Sequence, residues 1–159
     1  PIGALPAGGA WQDLIVTDRI PAVRAAFAVP GGEPRAGLFR IDTGAAQWHV
    51  TFHTGAVEAW ALVEGRTDLQ EARLGGVGGS VPAKRGPLAW FEMGDAIDPA
   101  PGAPHPRRVE RIEAHYNVTR RGAFANDDLA GTIGGQMLRP FVMITDYGRE
   151  RVAFVRKGE

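Results

Sequence analysis

Cysteine is absent from this 159-residue chain. That excludes disulfides, thiol nucleophiles and cysteine-held metal ions. Serine is nearly absent too: Ser80 is the only one, and it stands in a glycine-rich turn with nothing nearby to build a serine triad. Long apolar runs are missing, so no stretch approaches the roughly 20 residues a helix needs to cross a bilayer. Neither charge is in surplus, with 18 basic against 18 acidic residues. Phosphate binding depends on a basic excess, so no nucleic-acid partner is expected. The pairs Arg107-Arg108 and Arg120-Arg121 read as solvated loop charges. Of the four histidines, His49 and His53 would share one face of a strand but lack a third ligand, with only His105 and His115 elsewhere. No metal site is expected from them. The first residue is Pro1 rather than methionine, and an envelope, periplasmic or secreted setting is expected ahead of the cytoplasm.

What is present is ordinary for a globular domain: 44% hydrophobic and 23% charged residues, with 22 glycines and 12 prolines. The length suits one domain. Short apolar runs separated by glycine and proline point to many turns and an all-β architecture. Residues 1–20 read as a flexible leader and residues 21–159 as the single domain. Ala22–Val29 and Gly37–Ile41 read as a hairpin around the turn cluster 30–34. Gln47–Phe52 alternates, with Trp48, Val50 and Phe52 on one face. Thr54 is placed to cap a short helix whose Val57, Trp60 and Ala61 form a core-facing stripe. Strands are expected over 68–74, 80–85, 88–93, 110–118, 141–145 and 151–155. The last of the long alternations sets Ile112, Ala114, Tyr116 and Val118 on one face. A short helix is expected at 136–139, and the proline-rich stretch 94–106 reads as an extended surface loop.

The chemistry centres on Asp42-Thr43-Gly44. The tripeptide alone is a weak signal, and it also reads as an Asx-type turn in which the carboxylate only satisfies local amides. Its context is more specific. The apolar run Leu38-Phe39-Arg40-Ile41 delivers Asp42 to a tight turn at the end of a strand. Gly44 permits close backbone approach, Thr43 can hydrogen-bond across the turn, and the small Ala45 leaves room beside the carboxylate. About 30 residues later comes Leu74-Gly75-Gly76-Val77-Gly78-Gly79, placed as the tip of a hairpin. A third segment, Thr132-Ile133-Gly134-Gly135-Gln136-Met137-Leu138, reads as a strand running through glycine into a short helix.

These three segments in this order resemble the retroviral-type, or retropepsin-like, aspartic peptidases and their bacterial relatives. The resemblance spans roughly residues 21–155. It implies a small closed acid-protease barrel with one or two short helices. It implies that Asp42 is catalytic and that Thr43, Gly44 and Ala45 support the active-site turn. Gly75, Gly76, Val77, Gly78 and Gly79 would form a substrate-covering flap, and Ile133 and Gly134 would lie in the pocket or the core beside the site. It implies no cofactor, and a homodimer acting on an extended peptide, since only one Asp-Thr-Gly is present. Asp146 is followed by Tyr-Gly, and Asp127-Asp128 lies in a polar loop, so neither supplies a second copy. The chain departs from the family at Thr132, where a large aliphatic residue is usual, and at Gly135-Gln136, where the viral helix opens with Arg-Asn or Arg-Asp. A non-catalytic peptide-binding or dimerisation module on the same fold is the alternative, and a purely structural aspartate is the third reading.

Overall fold

The structure is a computed structural model, and it describes residues 5, 9–17, 19–76, 79–94, 105–121, 124–125 and 127–158. The strands are β1 (Trp11–Asp13), β2 (Ile15–Thr17), β3 (Ile20–Ala28), β4 (Arg35–Asp42), β5 (Val50–Phe52), β6 (Gln70–Gly76), β7 (Gly79–Met93), β8 (Arg108–Asn117), β9 (Gly131–Gly134), β10 (Phe141–Asp146) and β11 (Arg151–Arg156). Two short helices, α1 (Thr54–Ala59) and α2 (Gly135–Leu138), and one 3-10 turn, Tyr147–Arg149, complete the elements.

Eight strands form one sheet in the order β2-β3-β4-β9-β5-β8-β7-β6, and an added pairing of β3 with β7 closes it. Six strands therefore make a closed barrel, as expected. Closure removes the open edges that otherwise invite pairing with other chains. Phe27, Phe39, Phe52, Phe91 and Tyr116 fill the interior, all fully buried. Phe27 and Phe52 lie 4.6 Å apart between ring centres, and Phe52 stacks on Tyr116 at 5.3 Å. Such rings contribute burial and directional packing together. The second sheet, β1-β11-β10, lies outside this closed ring.

Several expectations hold. The hairpin of β3 and β4 forms around residues 29–34. Ile112, Ala114 and Tyr116 share the buried face of β8. Others are corrected. The expected leader includes β1 and β2, because Trp11–Asp13 pairs with β11 and Ile15–Thr17 pairs with β3. The run expected as two strands, 80–85 and 88–93, is one continuous strand, β7. It changes partners along its length, pairing first with β6, then β8, then β3. Pro82 and Pro87 do not break it; the Pro87 carbonyl accepts from Arg66 and from Tyr116. Val118 lies beyond β8 and is exposed, as is Ala61, which follows α1 with φ +50°. Thr54 is inside α1 rather than its cap. Its hydroxyl donates to the Thr119 carbonyl at 2.7 Å and accepts from Asn117 at 2.7 Å, tying the helix to β8.

Most of the proline-rich stretch lies outside the described residues, but both of its ends are anchored. The buried Glu92 carboxylate on β7 faces His105 Nδ1 at 2.8 Å and accepts from Arg108 Nε at 3.0 Å. Beside it Arg107 donates to Gln12 at 3.2 Å, which also fastens β1 to this corner.

Candidate active site

Asp42 is the last residue of β4, where the alternation of the strand decides its exposure. Phe39 and Ile41 point into the core, while Leu38, Arg40 and Asp42 are part-exposed on the other face. The chain then turns sharply. Asp42 Oδ1 accepts from the Gly44 amide at 3.0 Å and the Ala45 amide at 3.2 Å. These are the contacts of the expected Asx-type turn. Oδ2 has no protein partner among the described residues, so one oxygen fixes the carboxylate and the other is left to react or bind. Thr43 is exposed and its hydroxyl bonds to nothing among the described residues. Among the described residues the turn is held by the Asp42 carboxylate.

The segment 132–138 holds the turn from the other side. β9 runs parallel to β4, with Asp42 opposite Gly134, and antiparallel to β5. The Gly134 amide donates to His49 O at 2.8 Å, Gly135 to Ala45 O at 2.9 Å and Gln136 to Trp48 O at 3.1 Å. This close approach needs glycine. A Cβ on Gly134 would meet Trp48 O at 2.3 Å and Ala45 O at 2.8 Å, and one on Gly135 would meet Ala46 Cα at 3.0 Å. Backbone cannot rotate away as a side chain would. Gly134→Ala is therefore expected to destabilise the fold by about 3 kcal/mol, the upper part of the overpacking range. Gly75→Ala, where an added Cβ meets nothing within 4 Å, should stay within about 0.5 kcal/mol. Urea unfolding of both variants decides this; equal midpoints would overturn it. Ile133 is fully buried core, and of the two roles expected for it the core one holds.

The glycine-rich segment does form a hairpin. β6 and β7 pair with Gly76 opposite Gly79, and Gly79 takes φ +118°, which favours glycine. Val77 and Gly78 lie outside the described residues. Arg73 clasps the hairpin, donating to Ser80 Oγ at 2.9 Å and Ser80 O at 3.0 Å. Leu74 and Ala83 at its base form a second apolar cluster with Phe124, against which Trp48 and Val81 pack. Because Trp48 belongs to the loop that follows Asp42, this cluster links the hairpin base to the Asp42 turn.

Three residues of the site escaped the sequence reading as a group: Arg40, His53 and Thr132. Arg40 Nε donates to Thr132 Oγ1 at 2.8 Å, and His53 Nε2 lies 3.0 Å from the same oxygen. Arg40 has only protons to give, so the hydroxyl accepts from it and shares a second hydrogen bond with His53 Nε2. Burial pushes His53 down to about 4, with the Arg40 charge acting in the same direction. It is therefore neutral near neutral pH. The unusual threonine at 132 thus has a physical role: it bridges two polar groups that an aliphatic residue would leave unbonded. The available signal was Arg40 itself, a lone charge in an apolar strand two residues before Asp42. His49 and His115 are also lowered, chiefly by burial, with Glu113 opposing. Among the described residues no three histidine or acidic side chains are grouped to hold a metal ion.

Asp146 and Asp127, also considered from sequence, are engaged elsewhere. Asp146 is on β10, outside the barrel, and accepts from Arg149 and Arg151 at 3.1 Å each. Asp127 faces Arg120 at 3.4 Å.

No family model matches this chain, and no curated protein matches it in sequence. Among solved structures, a retropepsin-like aspartic protease from Rickettsia conorii is similar, with a TM-score of 0.54 at 15% identity, over 93% of this chain and 99% of that chain. At that identity the likeness is one of fold: this chain has a retropepsin-like fold.

Proposed function

We propose that the chain is one subunit of a homodimeric aspartic endopeptidase in which two Asp42 carboxylates activate water against an extended peptide. The observation that carries this is the state of Asp42. It ends a barrel strand of a retropepsin-like fold, with Oδ1 held by two amides and Oδ2 unpaired among the described residues. In the reaction one carboxylate accepts a proton from water while the other, protonated, donates to the scissile carbonyl oxygen. The resulting diol collapses, and the amine leaves with a proton from the dyad. Two facing carboxylates cannot both ionise cheaply, so they share one proton, as in aspartic proteases generally. The hairpin of β6 and β7 acts as the flap. An extended substrate lies between it and Asp42, adding strand-like hydrogen bonds. The exposed Thr43 and Gly44 leave the turn accessible to a second subunit.

The test is a pH–rate profile on a peptide library. A bell on the acid side of neutrality is expected, because a second proton removes the base and loss of the shared one removes the acid. His53 bears on the acid limb. Its folded value is depressed to about 4, so its contribution to stability is complete above an ordinary histidine value of about 6.5 and is lost as pH falls toward 4. Circular dichroism at each pH separates unfolding from protonation of the dyad. A rate rising steadily through pH 9 overturns the dyad. Peptide binding without turnover at any pH would instead identify a non-catalytic peptide-binding module.

A further inference from the structure

We propose that Arg40 selects substrates, binding an acidic side chain within about two residues of the scissile bond; this rests on the peptidase reading above. Side chains alternate along a strand, so Arg40 and Asp42 project from the same face of β4. Two residues of strand separate them by about 6.6 Å, the length of about two residues of an extended substrate.

The neighbours of Arg40 fix its direction. Its Nε is spent on Thr132 Oγ1, and its guanidinium carbon stands 5.7 Å from the centre of the Phe124 ring. Phe124 packs on Leu74 and Ala83 at the base of the hairpin. Arg40 therefore stands between the Asp42 turn and the element that would cover the substrate. Among the described residues no carboxylate pairs with it. The two terminal nitrogens remain as a fork that suits a carboxylate. His53, the other ionisable group on Thr132, is neutral, so the guanidinium is the charge of this wall. A part-buried cation without an anion is costly, and a substrate carboxylate relieves that cost. A two-fold axis through the dyad would set a second Arg40 on the opposite side of the scissile bond. Acidic residues on either flank are thus addressed.

The test compares matched peptides carrying Glu or Gln at each position within two residues of a bond that the wild-type protein cleaves. Wild type should favour Glu by about 10-fold or more in kcat/KM, the range for a hydrogen bond to a charged group. The preference should fade as pH drops through about 4.3, where the substrate carboxyl protonates. Arg40→Gln should cleave both peptides at similar rates. Equal wild-type rates for the pair, or a preference that survives in folded Arg40→Gln, overturn the assignment. The wild-type comparison decides even where the variant does not fold. Failure of the underlying reading looks different: wild type then cleaves no peptide at all, and both proposals fall together.

Discussion

Asp42→Asn is expected to lower peptide turnover by about 10²–10⁴-fold or more while leaving the fold intact. The two effects separate because the two carboxylate oxygens do different work. Oδ1 accepts from the Gly44 and Ala45 amides, and the asparagine carbonyl oxygen can keep both bonds. The amide nitrogen then replaces Oδ2, and it cannot take a proton from water. It also removes the shared proton of the dyad, so base and acid are lost together. Urea unfolding should show a midpoint close to wild type, and kcat/KM should fall to background. Wild-type turnover in the variant would sink the assignment. Lost turnover with a large loss of stability would point to the purely structural aspartate instead.

Mixing wild type with inactive Asp42→Asn should poison activity, the second large effect. The chain carries one Asp-Thr-Gly, and Asp127 and Asp146 are committed to arginines elsewhere. The second carboxylate then comes from a second copy across a two-fold axis, the commonest closed assembly. Once subunits exchange, a roughly nine-fold excess of variant leaves about a tenth of wild-type subunits with a wild-type partner, and activity per wild-type subunit should fall in proportion. Specific activity should also drop on dilution below the dimer dissociation constant. A sedimenting monomer that keeps full activity on dilution refutes the dimer and requires a second acid within the chain.

The sequence by itself determined the elements whose signal is local. Glycine and proline punctuation marked most turns, and period-two alternation marked β4 and β8, where Phe39, Ile41, Ile112, Ala114 and Tyr116 are buried. Asp42 at the end of an apolar strand and the glycine-rich hairpin were legible for the same reason. Each is a few adjacent residues whose backbone preferences do not depend on distant partners. The misreadings arose where partners outvoted propensity. Prolines and a glycine made 79–93 look like two strands, yet three different neighbours hold it as one. A leader-like composition concealed β1 and β2, which exist because β11 and β3 supply their hydrogen bonds. The site divided along the same line. That Asp42 ends a strand at a tight turn could be read in the chain. That Gly134 must be glycine, that Thr132 bridges Arg40 to His53, and that Trp48 and Phe124 join the hairpin to the turn, only the tertiary structure decided. These contacts join residues as many as 92 positions apart, and such pairings arise only when the closed barrel brings β4, β5 and β9 side by side.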